Sequence, residues 1–228
     1  MARVFTRVGK QISIAVKEGG PDPDTNPHLR AVIANAKREN MPKANIENAI
    51  KNAMGKNQKD YKAVNYEGYG PHGIAVFVET ATDNSTRTVA NVRSYFNKCG
   101  GSLGVSGSVD FMFKHLAMFT ILKKEGMDLE EFLLELIDFD IDEEYDVEGD
   151  EITIYAPFQA FNAVQTFLEE NGYEIKNSEF TRIPMDEKEL EGEAREEVEK
   201  LIERLEDDED VQAVYTTLKP SDSEEEEA

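Results

Sequence analysis

The apolar residues of this chain change their spacing once, near residue 64, and that switch limits what it can fold into. Before it, apolar side chains recur every three or four positions; after it, short β-branched runs alternate with further helical stretches. In "RVFTRVGKQISIAVK", Val4, Phe5, Val8, Ile12, Ala15 and Val16 share one helical face, with Arg3, Arg7, Lys10 and Lys17 in a stripe opposite. Gly9 sits inside this helix and should weaken it by ~1 kcal/mol relative to alanine. The turn-rich "EGGPDPDTNP" follows. A second helix over 28–40 places Leu29, Val32, Ile33 and Ala36 on one face, and Met41-Pro42 breaks it. A third over 43–54 turns Ile46, Ala49, Ile50 and Ala53 inward and Lys43, Glu47 and Lys51 outward. Residues 1–63 therefore read as a small basic helical bundle, with "GKNQKDYKA" as its exit linker.

Ile74 to Val78 then has strand character, and "TDNSTRT" offers N-cap residues for a helix carrying Val89, Val92, Phe96 and Cys99. Gly100-Gly101 ends that helix, and a further strand is expected from Val109 to Phe113. From Ala117 the pattern is strand "MFTIL", helix "DLEEFLLELIDF", strand "EITIYAP", helix "FQAFNAVQTFLEENG" and strand "YEIKNSEFTRI". This β-α-β-α-β order suggests a two-layer module of ferredoxin-like kind. A charged helix over 186–206 and the strand "VQAVYTT" come after it. The expected fold is thus α+β and multidomain: a helical bundle (1–63), a middle α/β domain (64–116 and 184–219) and an acidic ferredoxin-like domain (117–183) inserted in it. The acidic tail, 220–228, is expected to be disordered.

Charge follows the same division. The formal net charge is −22 over 228 residues, yet residues 1–62 carry 12 Lys and Arg against 6 Asp and Glu. A basic block on an acidic body says more than the overall balance, because solubility alone does not explain the segregation. No apolar run approaches the ~20 residues that cross a bilayer, and no signal-peptide core follows Met1. A soluble, cytoplasmic protein without membrane contact is expected. With Cys99 as the single cysteine, an intrachain disulfide and a cysteine-based zinc site are excluded.

Motifs for catalysis are weak. "GYGPHG", Gly68 to Gly73, matches the G-x-G-x-x-G fingerprint in letters. A dinucleotide site needs a strand before the glycines and a helix after them. Here the glycines follow the basic linker and precede a strand, and Pro71 removes one amide from the cradle, so a tight loop is the better reading. "DFDIDE" opens like a calcium loop, but Glu143 stands where glycine is required and Gly149 where the bidentate acid belongs. His28, His72 and His115 are scattered, and Cys99 lies on the apolar stripe of its helix; all four read as structural. No catalytic residue, cofactor, metal or small-molecule substrate is expected.

Three long blocks carry a resemblance: "EGGPDPDTNPHLRAVIANAKRENMPKANIENAIKNA", "YEGYGPHGIAVFVETATDNSTRTVANVRSYFNKCGGSLGVSGSVDFMF" and "EDDEDVQAVYTTL". In this order they resemble the YebC/PmpR family, which includes bacterial transcriptional regulators and a mitochondrial translational activator of cytochrome oxidase. The resemblance covers nearly the whole chain apart from the tail. It implies a helical domain followed by two α/β domains, one inserted in the other, and a non-enzymatic protein that controls gene expression through nucleic acid. It also implies a further basic segment ahead of "VFTRVGKQ", most of which this sequence does not contain.

The candidate nucleic-acid contacts are Arg3, Arg7, Lys10 and Lys17, supported by Arg30, Lys37, Arg38, Lys43 and Lys51. Cations along one face can meet successive phosphates and release condensed counterions. Ordinary solvated faces explain the same charges, and Glu47 between Lys43 and Lys51 supports that plainer account; the resemblance favours binding. Thr86, Arg87 and Thr88 match a motif of the family and would add phosphate contacts at a helix N-terminus. The primary expectation is a DNA-binding regulator of transcription. The alternatives are a translation factor contacting ribosomal RNA and a protein-interaction or ligand-sensing module.

Overall fold

The computed structural model describes residues 2–55, 59–141 and 145–221. Its contacts divide the chain into two units, Met1–Gln58 with His115–Arg182 and Lys59–Lys114 with Ile183–Ala228. The fold is mixed α and β, with two four-stranded sheets among the described residues.

The first unit opens with α1 (Ala2–Gly19), α2 (Pro27–Arg38) and α3 (Lys43–Ala53). The apolar stripe read from the sequence becomes a core of Val8, Ile12, Ala15, Val16, Leu29, Val32, Ala36, Met41 and Ile46. Asn26 joins the first two helices. Its Oδ1 accepts the amide of Leu29 at 3.0 Å, which caps α2, while its Nδ2 donates to the carbonyls of Ala15 and Gly20 at 2.8 and 2.9 Å. One side chain therefore supplies partners to the end of one helix and the start of the next. Gly19 is confined by it, since an added Cβ would lie 2.6 Å from the Asn26 amide carbon.

The rest of this unit runs β4 (Phe113–Leu122), α5 (Leu129–Glu135), β5 (Tyr145–Glu148), β6 (Glu151–Pro157), α6 (Phe161–Glu170) and β7 (Ile175–Pro184). The sheet order is β5-β6-β4-β7, and β6 pairs antiparallel with both β5 and β4. Strand β5 was not expected: its four residues are all exposed, so no burial pattern marked it. Gly149, at φ +57°, lies in the two-residue turn that joins β5 to β6. Phe119, Ile121, Ile152, Ile154, Phe132, Leu136, Val164 and Leu168 form the core, which Ala31 of α2 also enters.

The second unit contains β1 (Lys62–Tyr69), β2 (Ala75–Thr82), α4 (Ser85–Lys98), β3 (Ser102–Leu103), α7 (Gly192–Glu206) and β8 (Val211–Thr216). The sheet order is β3-β1-β2-β8. Ile74, Val76 and Val78 pack with residues of α4 and α7, whereas Ala75 and Phe77 pack with Val109 and Phe113. The central strand is sealed on both faces, hence its unbroken apolar run.

Two expectations are corrected here. The strand expected at Val109–Phe113 is instead a one-turn 3-10 helix, Asp110–Met112, leading into β4. The segment before the glycines is strand β1 rather than a linker, so one ground against the dinucleotide reading falls. The other stands: β2, not a helix, follows. Pro71–Gly73 form a 3-10 turn with His72 at φ 59° and Gly73 at φ +74°. The acidic tail from residue 222 and Glu143 of the rejected calcium loop lie outside the described residues.

Candidate nucleic-acid interface

The cations singled out from the sequence separate into two groups. Lys37, in the last turn of α2, and Lys43 and Lys51 on α3 are exposed, as are Arg3, Lys17 and Arg38. Lys43 faces Glu47 at 3.6 Å with both side chains largely in solvent, a pair worth ~0.3–0.5 kcal/mol that a phosphate could displace. Arg38 donates through Nη2 to Asn177 Oδ1 at 2.6 Å.

Lys10 departs from expectation. It is only 5 % exposed, while Arg7 is half-buried, so the stripe opposite the apolar face is not wholly solvated. Arg30 departs further. Its Nε and Nη2 grip the Glu169 carboxylate of α6 at 3.0 and 2.7 Å, and its Nη1 donates to the carbonyls of Pro23 and Asp24. A two-point guanidinium–carboxylate contact of this kind orients both partners. Glu169 also accepts from Gln165 Nε2 at 2.7 Å. Arg30 thus fastens α2 to α6, and Asn35 ties the same helix to β7 by donating to the Ser178 carbonyl at 2.8 Å.

In the second unit, Asn84 caps α4 by accepting the Arg87 amide at 3.1 Å. Thr86 is exposed in the first turn. Arg87 donates through Nη2 to Asp210 at 2.7 Å and Asp83 at 3.0 Å. The hydrogen bonds to Asp210 and Asp83 raise its pKa, so it holds its proton more firmly still. Desolvation works against ionisation of Asp83, but the Arg87 hydrogen bond and the nearby charges of Lys59 and Arg87 outweigh it and hold that carboxyl below its ordinary range. Thr88 is fully buried, its hydroxyl lying 2.8 Å from Asp210 and 2.7 Å from Thr82. Thr88 is therefore corrected from a phosphate ligand to an internal support, because its oxygen cannot reach solvent.

The network extends along α4. Asp208 accepts from Asn91 at 3.1 Å and from the Tyr95 hydroxyl at 2.9 Å. Burial, then the Asp208 hydrogen bond and charge, push Tyr95 up to about 12. These acids belong to "DDED", the turn between α7 and β8, and they tie it to α4. Across the same sheet, the buried Glu67 carboxylate of β1 accepts the amides of Gly107, Val109 and Asp110 at 2.7–2.8 Å. Sequence reading did not single out Asp208, Asp210 or Glu67, since one carboxylate among 47 acids carries no mark of being buried.

Two family models match the sequence. TACO1/YebC protein N-terminal domain covers residues 1–56, and TACO1/YebC second and third domain covers 61–218. The chain belongs to the TACO1/YebC family. A Bacteroides fragilis relative, named probable transcriptional regulatory protein, is 68 % identical over the whole chain and 93 % of its own length. One of the same name from Parabacteroides distasonis is 62 % identical, covering 99 % of the chain and 93 % of its own length. Among solved structures, a conserved hypothetical protein from Aquifex aeolicus superposes with a TM-score of 0.79 at 34 % identity, covering 97 % of this chain and 91 % of that one. Among the described residues, no helix of this family member is long and apolar enough to cross a membrane, and no group of three or more His, Cys, Asp or Glu could hold a metal ion.

Proposed function

We propose that this TACO1/YebC protein regulates transcription without catalysis, by laying its N-terminal helices on the phosphate backbone of DNA. The observation that carries the reading is the exposed set Lys37, Arg38, Lys43 and Lys51 at the end of α2 and along α3, in a segment of net positive charge on an otherwise acidic chain. Arg3, Arg7 and Lys17 of α1 and Thr86 of α4 are kept as further contacts. Arg30, Arg87 and Thr88 are reassigned to holding the fold, and the buried Lys10 is withdrawn from the contacts. The names of the relatives support a regulator. Lysine contacts to phosphate carry little sequence information, so binding is expected to be mostly non-specific in sequence.

The domain organisation proposed with it is a bundle at 1–63, a middle domain at 64–116 with 184–219, and a ferredoxin-like module at 117–183. The β-α-β-β-α-β order of the inserted segment and its sheet order support the last. We place the protein in the cytoplasm, where DNA and ribosomes are both in reach. Contact with ribosomal RNA is the second reading, because the same lysines serve either polymer. Crosslinking in cells, followed by sequencing of DNA and RNA from the same sample, decides between them. Recovery of neither polymer above background overturns both.

A further inference from the structure

The second sheet ends in a strand without the usual guards of an open edge. Strand β8 stands last in the order β3-β1-β2-β8, with β2 as its one neighbouring strand among the described residues. Residues 211–218 hold no charged side chain and no proline, the devices that commonly keep an edge from pairing with another chain. The Thr217 amide donates to the Ala75 carbonyl at 3.1 Å, on the β2 side. Alternation along the strand therefore turns the N–H and C=O of Val214 and Thr216 away from β2. The isolated bridge between Lys188 and Leu218 covers this edge only past the end of β8.

A groove opens beside the same edge. Arg204 of α7 is near enough to Tyr95 of α4 for its charge to act there. On the opposite side of that helix, Arg195, Glu199, Ile202 and Glu206 face a groove of about 1000 Å³, whose other wall is Thr216, Leu218 and Pro220. An added strand would run about 4.8 Å outside β8, on the side where this groove opens.

The charges at the two ends of β8 specify what can pair with it. Before the strand, Glu206, Asp207 and Glu209 are exposed, while Asp208 and Asp210 are buried against α4. After it comes Lys219, with Lys188 bridged to the same stretch and Arg195 donating to the Lys219 carbonyl at 2.8 Å. Along the groove Lys200 and Glu203 add one charge of each sign, Glu199 is held by Arg195 at 2.6 Å, and Glu196 adds a further acid. An antiparallel copy of β8 reverses the order of the ends. With Val214 opposite its own counterpart, Lys219 of each copy falls opposite Glu209 of the other, whereas a parallel copy sets acid beside acid. The net charge of −22 opposes any self-association, but it is screened over about 8 Å at physiological salt, and the strand itself is neutral.

We propose that two copies of this protein join through their β8 strands, antiparallel about a two-fold axis at Val214, making one eight-stranded sheet from two of four. The two Val214 residues exchange a pair of backbone hydrogen bonds across the axis, and the contact, being isologous, closes at a dimer. The inference does not depend on the nucleic-acid reading, since no residue is shared with it.

The test is sedimentation of the full chain across micromolar concentrations, paired with amide hydrogen exchange. A reversible monomer–dimer equilibrium is expected, with the Val214 amide exchanging more slowly as protein concentration rises. Glu209→Lys and Lys219→Glu, each alone, set like charges together twice in the dimer and are expected to weaken it about tenfold. The double variant restores opposite pairs and is expected to return the affinity to within about threefold of the original. Removing residues 222–228, whose five acids compete for the same lysine, is expected to tighten the dimer. A monomer at every concentration overturns the proposal. A dimer whose Val214 exchange ignores concentration, or whose double variant is no tighter than the single ones, overturns it in favour of another interface. A dimer lost together with residues 222–228 overturns it in favour of the tail.

Discussion

The stretch from the end of α2 through α3 and the start of α4 carry similar residues and use them in opposite ways. In the helices an apolar core of Val8, Ile12, Leu29 and their neighbours does the packing, and Lys37, Lys43 and Lys51 stand in solvent. At α4, Arg87 and Thr88 are drawn onto Asp210, and Asn91 and Tyr95 onto Asp208. A cation or hydroxyl in a binding-type pattern is available to a ligand only where the fold has not already given it a partner. Formal charge along a sequence therefore overstates the charge a partner meets.

The largest effect that would sharpen this contrast is expected from Asp210→Ala. It removes the charge-assisted hydrogen bonds that Arg87 and the buried Thr88 hydroxyl make to one carboxylate, and should cost about 3 kcal/mol in urea unfolding; Asp83 on Arg87, and Thr82 and the Asn84 carbonyl on Thr88, keep the loss from being greater. Asn26→Ala should cost about 2 kcal/mol, combining a lost helix cap with carbonyls of α1 left without a donor. The triple change Lys37→Glu, Lys43→Glu and Lys51→Glu should leave each site within about 0.5 kcal/mol of its starting stability. Its effect belongs to binding, as a loss of about tenfold in DNA affinity and a fall in the salt slope of roughly 0.9 per phosphate released. A large stability loss in that triple variant would break the contrast between the regions.

Smaller effects point the same way. Gly9→Ala should raise stability by ~1 kcal/mol, since the added methyl meets nothing within 4 Å on the helix. Tyr95 keeps its proton up to about pH 12 in the folded protein but loses it near 10 once unfolded, so the stability it contributes is present below pH 10 and lost as pH rises from there toward 12. Tyr95→Phe should flatten that part of the stability–pH curve and leave the N-terminal helices untouched.

Elements whose buried positions are apolar were readable in advance. The helices α1 to α3, strands β2 and β6 and helix α7 fall where periodicity put them, to within a few residues, apart from a later start to α7. Strand β1 was hidden because its fully buried positions are Glu67 and Gly68, neither of which marks a strand. Gly68 is there because a Cβ would stand 2.5 Å from the Ser102 carbonyl oxygen, a close approach invisible until the chain is folded. For the candidate site, a cationic N-terminal segment was legible and the individual residues were not. Nothing local to Arg30 reveals that Glu169, 139 positions later, will claim it.

Asn84 and Asn26 act on neighbours, but the second sheet closes over a far longer span. The Ala75 amide at the head of β2 donates to the Thr217 hydroxyl, 142 positions away. During synthesis the central strand of that sheet must wait, apolar on both sides, until β8 and Thr217 have left the ribosome. The interval gives chaperones something to hold and makes early chain termination in this protein a route to aggregates rather than to a shorter regulator.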